Sequence, residues 1–190
     1  LDVSAEEVGL HGYDTFVRST GDTTQQFEHA RSIDTHQDYC VTILNEVIPD
    51  ASPEGTCILQ FSKFYSDDAF ANVEERDYYK IKDRIAMETI EHYEKTFKVN
   101  IREHIEEVEV ATPATWARYL GTPRGDVYGY LPATWDGMFP RVQSGHHEDY
   151  TIAGLRFVGG HGTQMDGYSQ AYLSGAEQAR YALEDMKAGA

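Results

Sequence analysis

The sequence predicts an α/β fold, and three observations carry that expectation. Two β-branched, apolar runs, Tyr39 to Val47 and Thr56 to Tyr65, flank a stretch rich in turn residues. Apolar residues then recur at helical spacing along Asp68 to Phe97. Near the end, Gly154 to Ala182 reads as strand, glycine loop, helix.

In chain order, residues 3–10 (VSAEEVGL) form a short acidic helix with Ser4 as its N-cap. Alanine is read at the third helical position, which would leave the capping box incomplete. Tyr13 to Arg18 is a strand, and residues 19–31 are a polar loop or helical turn. The run 39–47 is a strand, Pro49 to Gly55 is turn chemistry, and 56–65 is the next strand. Together, 39–65 makes a hairpin with a long connection. In the helix held within Asp68–Phe97, Tyr78, Ile81, Ile85, Ile90, Tyr93 and Phe97 share one apolar stripe. Glu88, Glu91 and Glu94 lie off it. Asn100 precedes a short helical or turn segment, and Ile105 to Ala111 alternates as a strand. Thr112 caps a helix that starts at Pro113 and ends at Gly121. Asp126 to Leu131 is a strand and residues 132–150 an irregular loop. Leu155 to Val158 is the last strand. Gly159, Gly160 and Gly162 allow tight turning or close approach to a ligand. A helix rich in small residues starts at about Tyr168. Its start offers unpaired N–H groups and the positive end of its dipole.

The 190 residues suffice for a core, and 41% apolar with 25% charged residues is ordinary globular composition. A net charge of −16 argues against nucleic acid and anionic lipid as partners and reads mostly as a solvated acidic face, with salt adaptation the weaker reading. Cys40 and Cys57 have no metal or redox spacing and read as buried apolar thiols, with a disulfide the weaker reading. No run approaches the roughly 18 apolar residues of a membrane span, and the opening LDVSAEEVGL has no basic signal region. The absent initiator Met fits a processed subunit, a fragment or a trimmed chain. The expected location is cytoplasmic or peripheral to a membrane.

Few constellations carry chemistry. His146, His147, Glu148 and Asp149 could touch a metal, but adjacent histidines seldom converge on one ion, and an exposed loop is the better reading. His161, inside the glycine loop, either packs on a ligand ring or is structural. His92 and His104 read as surface groups. The thirteen tyrosines fit ordinary packing better than a dedicated pocket. No Gly-x-Ser-x-Gly elbow, phosphate loop or G-x-G-x-x-G occurs.

Three segments, in order, carry a resemblance: Pro53-Glu54-Gly55 before an apolar strand; Thr112-Pro113 followed by Gly121-Thr122-Pro123-Arg124-Gly125-Asp126-Val127-Tyr128-Gly129; and Phe157-Val158-Gly159-Gly160 with Asp166-Gly167-Tyr168-Ser169-Gln170-Ala171 and Leu173-Ser174-Gly175-Ala176. The chain resembles, over about 35–185, the C-terminal portion of FAD-dependent oxidoreductases of the phytoene desaturase, carotenoid isomerase and amine oxidase superfamily.

The resemblance implies a partial substrate domain with a mixed sheet and covering helices, residues 1–150. Residues 151–190 would then be the last strand, loop and helix of a Rossmann-type FAD domain. The G-x-G-x-x-G half would come from an N-terminal segment or companion chain. Backbone N–H groups of Gly167, Tyr168 and Ser169 would face the flavin edge, and Gly159 and Gly160 would permit close approach. His161 could abut the ring. Asp166 departs from the family pattern: so near the ring it would oppose negative charge, unless it turns to a ribityl hydroxyl or caps the helix. The implied activity is dehydrogenation, saturation or isomerisation of a small apolar, polyene-like or amine substrate. The alternative is a non-catalytic flavoprotein-like subunit serving assembly or ligand binding. The residues identify no catalytic acid or base.

Overall fold

The computed structural model describes residues 1–34, 37–66, 68–127, 154–159 and 167–189. They form a mixed helix and sheet protein whose chain divides into two compact units, Leu1–Thr112 and Pro113–Ala190.

In the first unit the strands are β1 (Asp14–Val17), β2 (Tyr39–Ile43) and β3 (Leu59–Ser62). They pair antiparallel in the order β1-β2-β3, with Val41 opposite Thr15 on one side and Phe61 on the other. The expected hairpin over 39–65 is present, though both strands are shorter than the apolar runs that announce them. After Ile43 the chain turns through a 3-10 segment, Leu44–Glu46. Asn45 fixes this connection: its amide reaches Ser52 Oγ at 2.9 Å, and its carbonyl oxygen accepts the Ile58 N–H at 2.9 Å.

β2 alternates strictly. Tyr39, Val41 and Ile43 are buried; Cys40 and Thr42 are half-buried. Such alternation fits a sheet covered on one face only. The cover is helix α2 (Tyr78–Phe97), which buries Ile85, Thr89, Ile90 and Tyr93. The Tyr93 ring meets Phe61 edge-on at 5.2 Å, and Tyr39 contacts Phe61 at 5.9 Å. On the opposite face Phe16, paired with Cys40, is 68% exposed. The helical stripe is therefore correct at its centre and frays at Phe97, which is exposed although its ring touches Tyr93 at 4.7 Å.

The chain after α2 is folded back onto the core. Lys98 takes the left-handed conformation that ends the helix (φ 57°). The Glu94 carboxylate then accepts the N–H groups of Ile101 (2.9 Å) and Arg102 (2.8 Å), and the Arg102 guanidinium at 2.9 Å. That clamp drives Ile101 into the core, where it is 1% exposed. The first residues are sewn to the same region: the Leu1 nitrogen donates to Cys57 O (2.7 Å) and Asp2 N–H to His104 O (2.9 Å).

Several expectations are corrected. Residues 3–10 give a single 3-10 turn, Glu6–Val8. Ser4 and Glu7 do exchange capping bonds: Ser4 N–H donates to the Glu7 carboxylate at 2.9 Å, and Glu7 N–H to Ser4 Oγ at 3.4 Å. The residue three after Ser4 is Glu7, so the box is complete. Residues 19–31 contain a true helix, α1 (Thr23–His29), capped by Asp22 Oδ1 accepting from Thr24 N–H at 2.8 Å. Ile105–Ala111 is not a strand. Glu106 and Glu107 break its alternation, no neighbouring strand pairs with it among the described residues, and Val108 is left exposed. The sheet expected to be mixed is wholly antiparallel among the described residues.

In the second unit, helix α3 (Pro113–Leu120) begins and ends where expected; Gly121 turns left-handed (φ 68°) and its N–H reaches Ala117 O at 3.1 Å. A 3-10 turn, Pro123–Gly125, then brings Gly125 back onto Pro113. A Cβ at Gly125 would stand 1.8 Å from Pro113 O, so only glycine fits. The long helix α4 (Tyr168–Ala188) closes the unit at Gly189. The expected strand 126–131 lies mostly outside the described residues, as does the loop 132–150.

Replacing Ile101 by Ala should lower unfolding free energy by about 2–5 kcal/mol, read from urea midpoints at unchanged slope. Phe16→Ser on the open face should shift it by no more than ~0.5 kcal/mol. The pH dependence has a defined sign. Burial pushes the Tyr39 and Tyr65 hydroxyls up to about 12, so the unfolded chain loses those protons first and stability falls as pH rises from 10 towards 12. Burial pulls Lys63 down to about 8, so this group contributes the opposite slope between 8 and 10.5. The Cys40 and Cys57 thiols, also pushed up by burial from 9.0, oppose the Lys63 slope, so a thermal scan series across pH 7–12 should show its clear fall between pH 10 and 12; no fall there would contradict it.

Candidate functional site

The strand–loop–helix region of the sequence is described at its two flanks, Gly154–Gly159 and Gly167 onward. Gly160, His161 and Asp166 lie outside the described residues, as do His146, His147, Glu148 and Asp149.

Residues 155–158 do not form a strand. A strand needs a ladder partner, and none among the described residues pairs with them. The segment is held by side chains along α4 instead. The Arg156 guanidinium donates to Gln178 Oε1 at 3.2 Å, pairs with the Asp185 carboxylate and lies 5.8 Å over the Tyr181 ring. Gln178 is buried at 3% exposure. Three residues on, Gly159 turns left-handed (φ 67°) and its N–H donates to Ser174 Oγ at 3.0 Å. The Ser174 hydroxyl, 1% exposed, passes its own proton to Ala171 O at 3.1 Å. Arg156 engages the later turns of α4 and Gly159 an earlier one. The segment therefore runs opposite to the helix and delivers the chain towards the helix start.

That start is shaped by Gly167, whose φ of 97° and ψ of 162° suit glycine and little else. It holds the N-cap position that the sequence reading offered to Asp166, and no side chain caps the helix there. The first intrahelical bond runs from Ala171 N–H to Gly167 O at 2.9 Å. The N–H groups of Tyr168, Ser169 and Gln170 precede it and have no acceptor within the helix. All three residues are exposed, Tyr168 at 87%. A Cβ on Gly167 would meet Gln170 Oε1 at 3.1 Å. The arrangement leaves three N–H groups without intrahelical acceptors at the positive end of a 21-residue helix.

A second grouping escaped the sequence reading. His92, read as a surface group, is half-buried: its Nδ1 lies 3.0 Å from the Tyr39 hydroxyl, and the rings meet edge-on at 5.7 Å. Lys63, just past β3, reaches Thr89 Oγ1 at 3.2 Å. Burial lowers its ammonium to about 8, against the pull of Glu88 and Asp38. The one signal for it was a lysine inside an apolar run, TCILQFSKFY. His104, also read as a surface group, is half-buried too, and its Nδ1 faces Asp2 Oδ1 at 3.2 Å. Both cysteines are free thiols, pushed up by burial. The tyrosines divide: Tyr39 and Tyr93 are core, whereas Tyr79, Tyr119, Tyr168 and Tyr172 are exposed. Among the described residues no cluster of His, Cys, Asp or Glu could hold a metal ion, and no helix is long and apolar enough to cross a membrane.

No family model, curated protein or solved structure matches the chain.

Ser174→Ala should cost about 0.5–1.5 kcal/mol, because it leaves the half-buried Gly159 N–H without its acceptor. The measurement is the chemical-denaturation midpoint together with amide exchange at Gly159, which should accelerate; unchanged exchange would show that the bond does not hold the segment.

Proposed function

We propose that this chain is the C-terminal portion of an FAD-dependent oxidoreductase. It would dehydrogenate, saturate or isomerise a small apolar, polyene-like or amine substrate. An N-terminal segment or companion chain bearing G-x-G-x-x-G would complete a Rossmann-type FAD domain, with residues 151–190 as its last part and 1–150 as substrate domain. A cytoplasmic location, bare or at a membrane surface, accompanies the proposal.

The observation that carries the reading is the uncapped start of α4 at Gly167, approached antiparallel by the segment ending at Gly159. Its donor set fits the electron-rich N1–C2=O edge of an isoalloxazine. Tyr168 and Ser169 offer backbone N–H groups without intrahelical acceptors, and Gly167 keeps a side chain out of their way. The helix dipole there favours negative charge. The motif order from Pro53 to Ala176 adds support, and so does the steric requirement for glycine at Gly125 against Pro113, which gives a physical reason for the Thr-Pro…Gly-x-x-x-Gly spacing. Bound flavin would supply the redox chemistry itself. This chain's residues would hold and orient the ring, and His161 would abut it from the loop.

The test is the native assembly, purified with whatever chain or segment accompanies these residues. It should retain FAD, visible in its absorbance bands and released on denaturation. Gly167→Val, which forces a β-branched residue to φ 97°, should weaken FAD binding by roughly tenfold or more while subunit assembly and helix content persist. A pure assembly that neither contains nor takes up FAD would sink the proposal and leave a non-catalytic, flavoprotein-like subunit as the reading.

A further inference from the structure

We propose that the free edge of β1 docks a second copy of this chain. The two β1 strands pair antiparallel about a two-fold axis centred on Phe16, which joins the two sheets into one. The inference is independent of the flavin reading, since it concerns the first unit alone.

β1 ends the order β1-β2-β3, and among the described residues β2 is its one ladder neighbour. The Ile43 N–H donates to Tyr13 O at 2.8 Å. Backbone groups alternate sides along an antiparallel strand. Tyr13, Thr15 and Val17 therefore turn their N–H and C=O groups to β2, whereas Asp14, Phe16 and Arg18 turn theirs to the open edge. No backbone bond among the described residues takes up those outward groups. The same alternation sets the side chains of Asp14, Phe16 and Arg18 on one face. It is the face away from the core, because Val17 packs on the core from the other. All three are exposed, Phe16 at 68%.

A free edge is a template for another strand, and charges often guard it. Here the charges have opposite sign and stand symmetrically, an acid two residues before Phe16 and a base two residues after it. Antiparallel pairing centred on Phe16 sets Asp14 opposite Arg18 of the second copy, Arg18 opposite its Asp14, and the two Phe16 rings together. Cβ atoms directly opposite stand about 4.5–5.5 Å apart, within reach of an ion pair and a ring contact. A slip of two residues either way sets Phe16 against a charge, so the register is specified. The outward N–H and C=O groups of all three residues meet their counterparts in this register. Asp14 Oδ1 accepts the Thr42 hydroxyl at 2.5 Å, which orients its carboxylate beside the edge. Arg18 makes no ion pair with the described residues. The opposite edge, β3 (Leu59–Ser62), has no charged residue and no such symmetry. A two-fold contact of this kind closes on itself and stops at the dimer.

The experiment is sedimentation equilibrium of the full chain from about 1 μM to about 1 mM. The net charge of −16 opposes association, so the salt is about 0.15 M, where exposed charges more than about 8 Å apart are screened. The wild type should pass from monomer to dimer and go no further. Asp14→Arg and Arg18→Asp each set like charges opposite one another and should weaken dimerisation about tenfold or more. The double variant should restore the dimer, and an equimolar mixture of the two single variants should give a heterodimer. Far-UV circular dichroism checks that each variant is folded. Amide exchange adds a backbone readout: the Phe16 N–H should slow with rising concentration, while the Val17 N–H, turned to β2, should not change. A wild type that stays monomeric throughout overturns the proposal and leaves the edge to a different chain. Folded single variants that dimerise like the wild type, or a folded double variant that stays monomeric, overturn it as well.

Discussion

Everything in the first unit leans on β2 being buried along one face. It is the strand paired on both edges, and its inward residues Tyr39, Val41 and Ile43 meet Ile90 and Tyr93 of α2 and Ile101 beyond it. Burying apolar side chains is the main favourable term in folding, worth about 1.5–3 kcal/mol for a large one. β1 and β3 contribute mainly by satisfying the backbone of β2, and β3 adds Phe61 to the aromatic contacts. The Glu94 clamp matters because it aims Ile101 at this surface. Between α2 and α3 the described chain has one short element besides it, a 3-10 turn at Arg102–His104.

The second unit uses a different device. Its terminal segment 154–159 lacks a ladder and is registered against α4 by polar side chains: Arg156 with Gln178 and Asp185, and Gly159 with Ser174. A helix with small residues at its packed turns lets a backbone come close, and Ser174 converts that closeness into a hydrogen bond. The outcome is a helix whose first turn is exposed while its middle is anchored, which separates the part that holds the fold from the part that offers donors.

The sequence made these features legible to different depths. Where periodicity and burial agree, as in the 39–65 hairpin and the centre of α2, the elements were readable from residues alone. Where an element depends on a neighbour, they were not: 105–111 and 155–158 have strand-like residues but no pairing partner among the described residues, and β-structure is a property of pairs. The helix α1 was signalled by Asp22 followed by polar helix formers, a cue that a polar stretch hides easily. Gly167, Tyr168 and Ser169 were singled out by the glycine-to-helix transition, and that transition is where the helix starts. Lys63 and His92 escaped because their environment is made by residues far away in sequence, Thr89 and Tyr39, which no local pattern reports.

The sewing of the first residues to Cys57 and His104 sets an order of assembly. Asp2 and His104 are 102 positions apart, so the N-terminal edge cannot lock until nearly the whole first unit has been synthesised. Closing so long a loop gains its contacts late and slows folding relative to local helices. The α2 helix and the β2–β3 hairpin can form early, while Leu1 and Asp2 act as a latch that records completion of the unit.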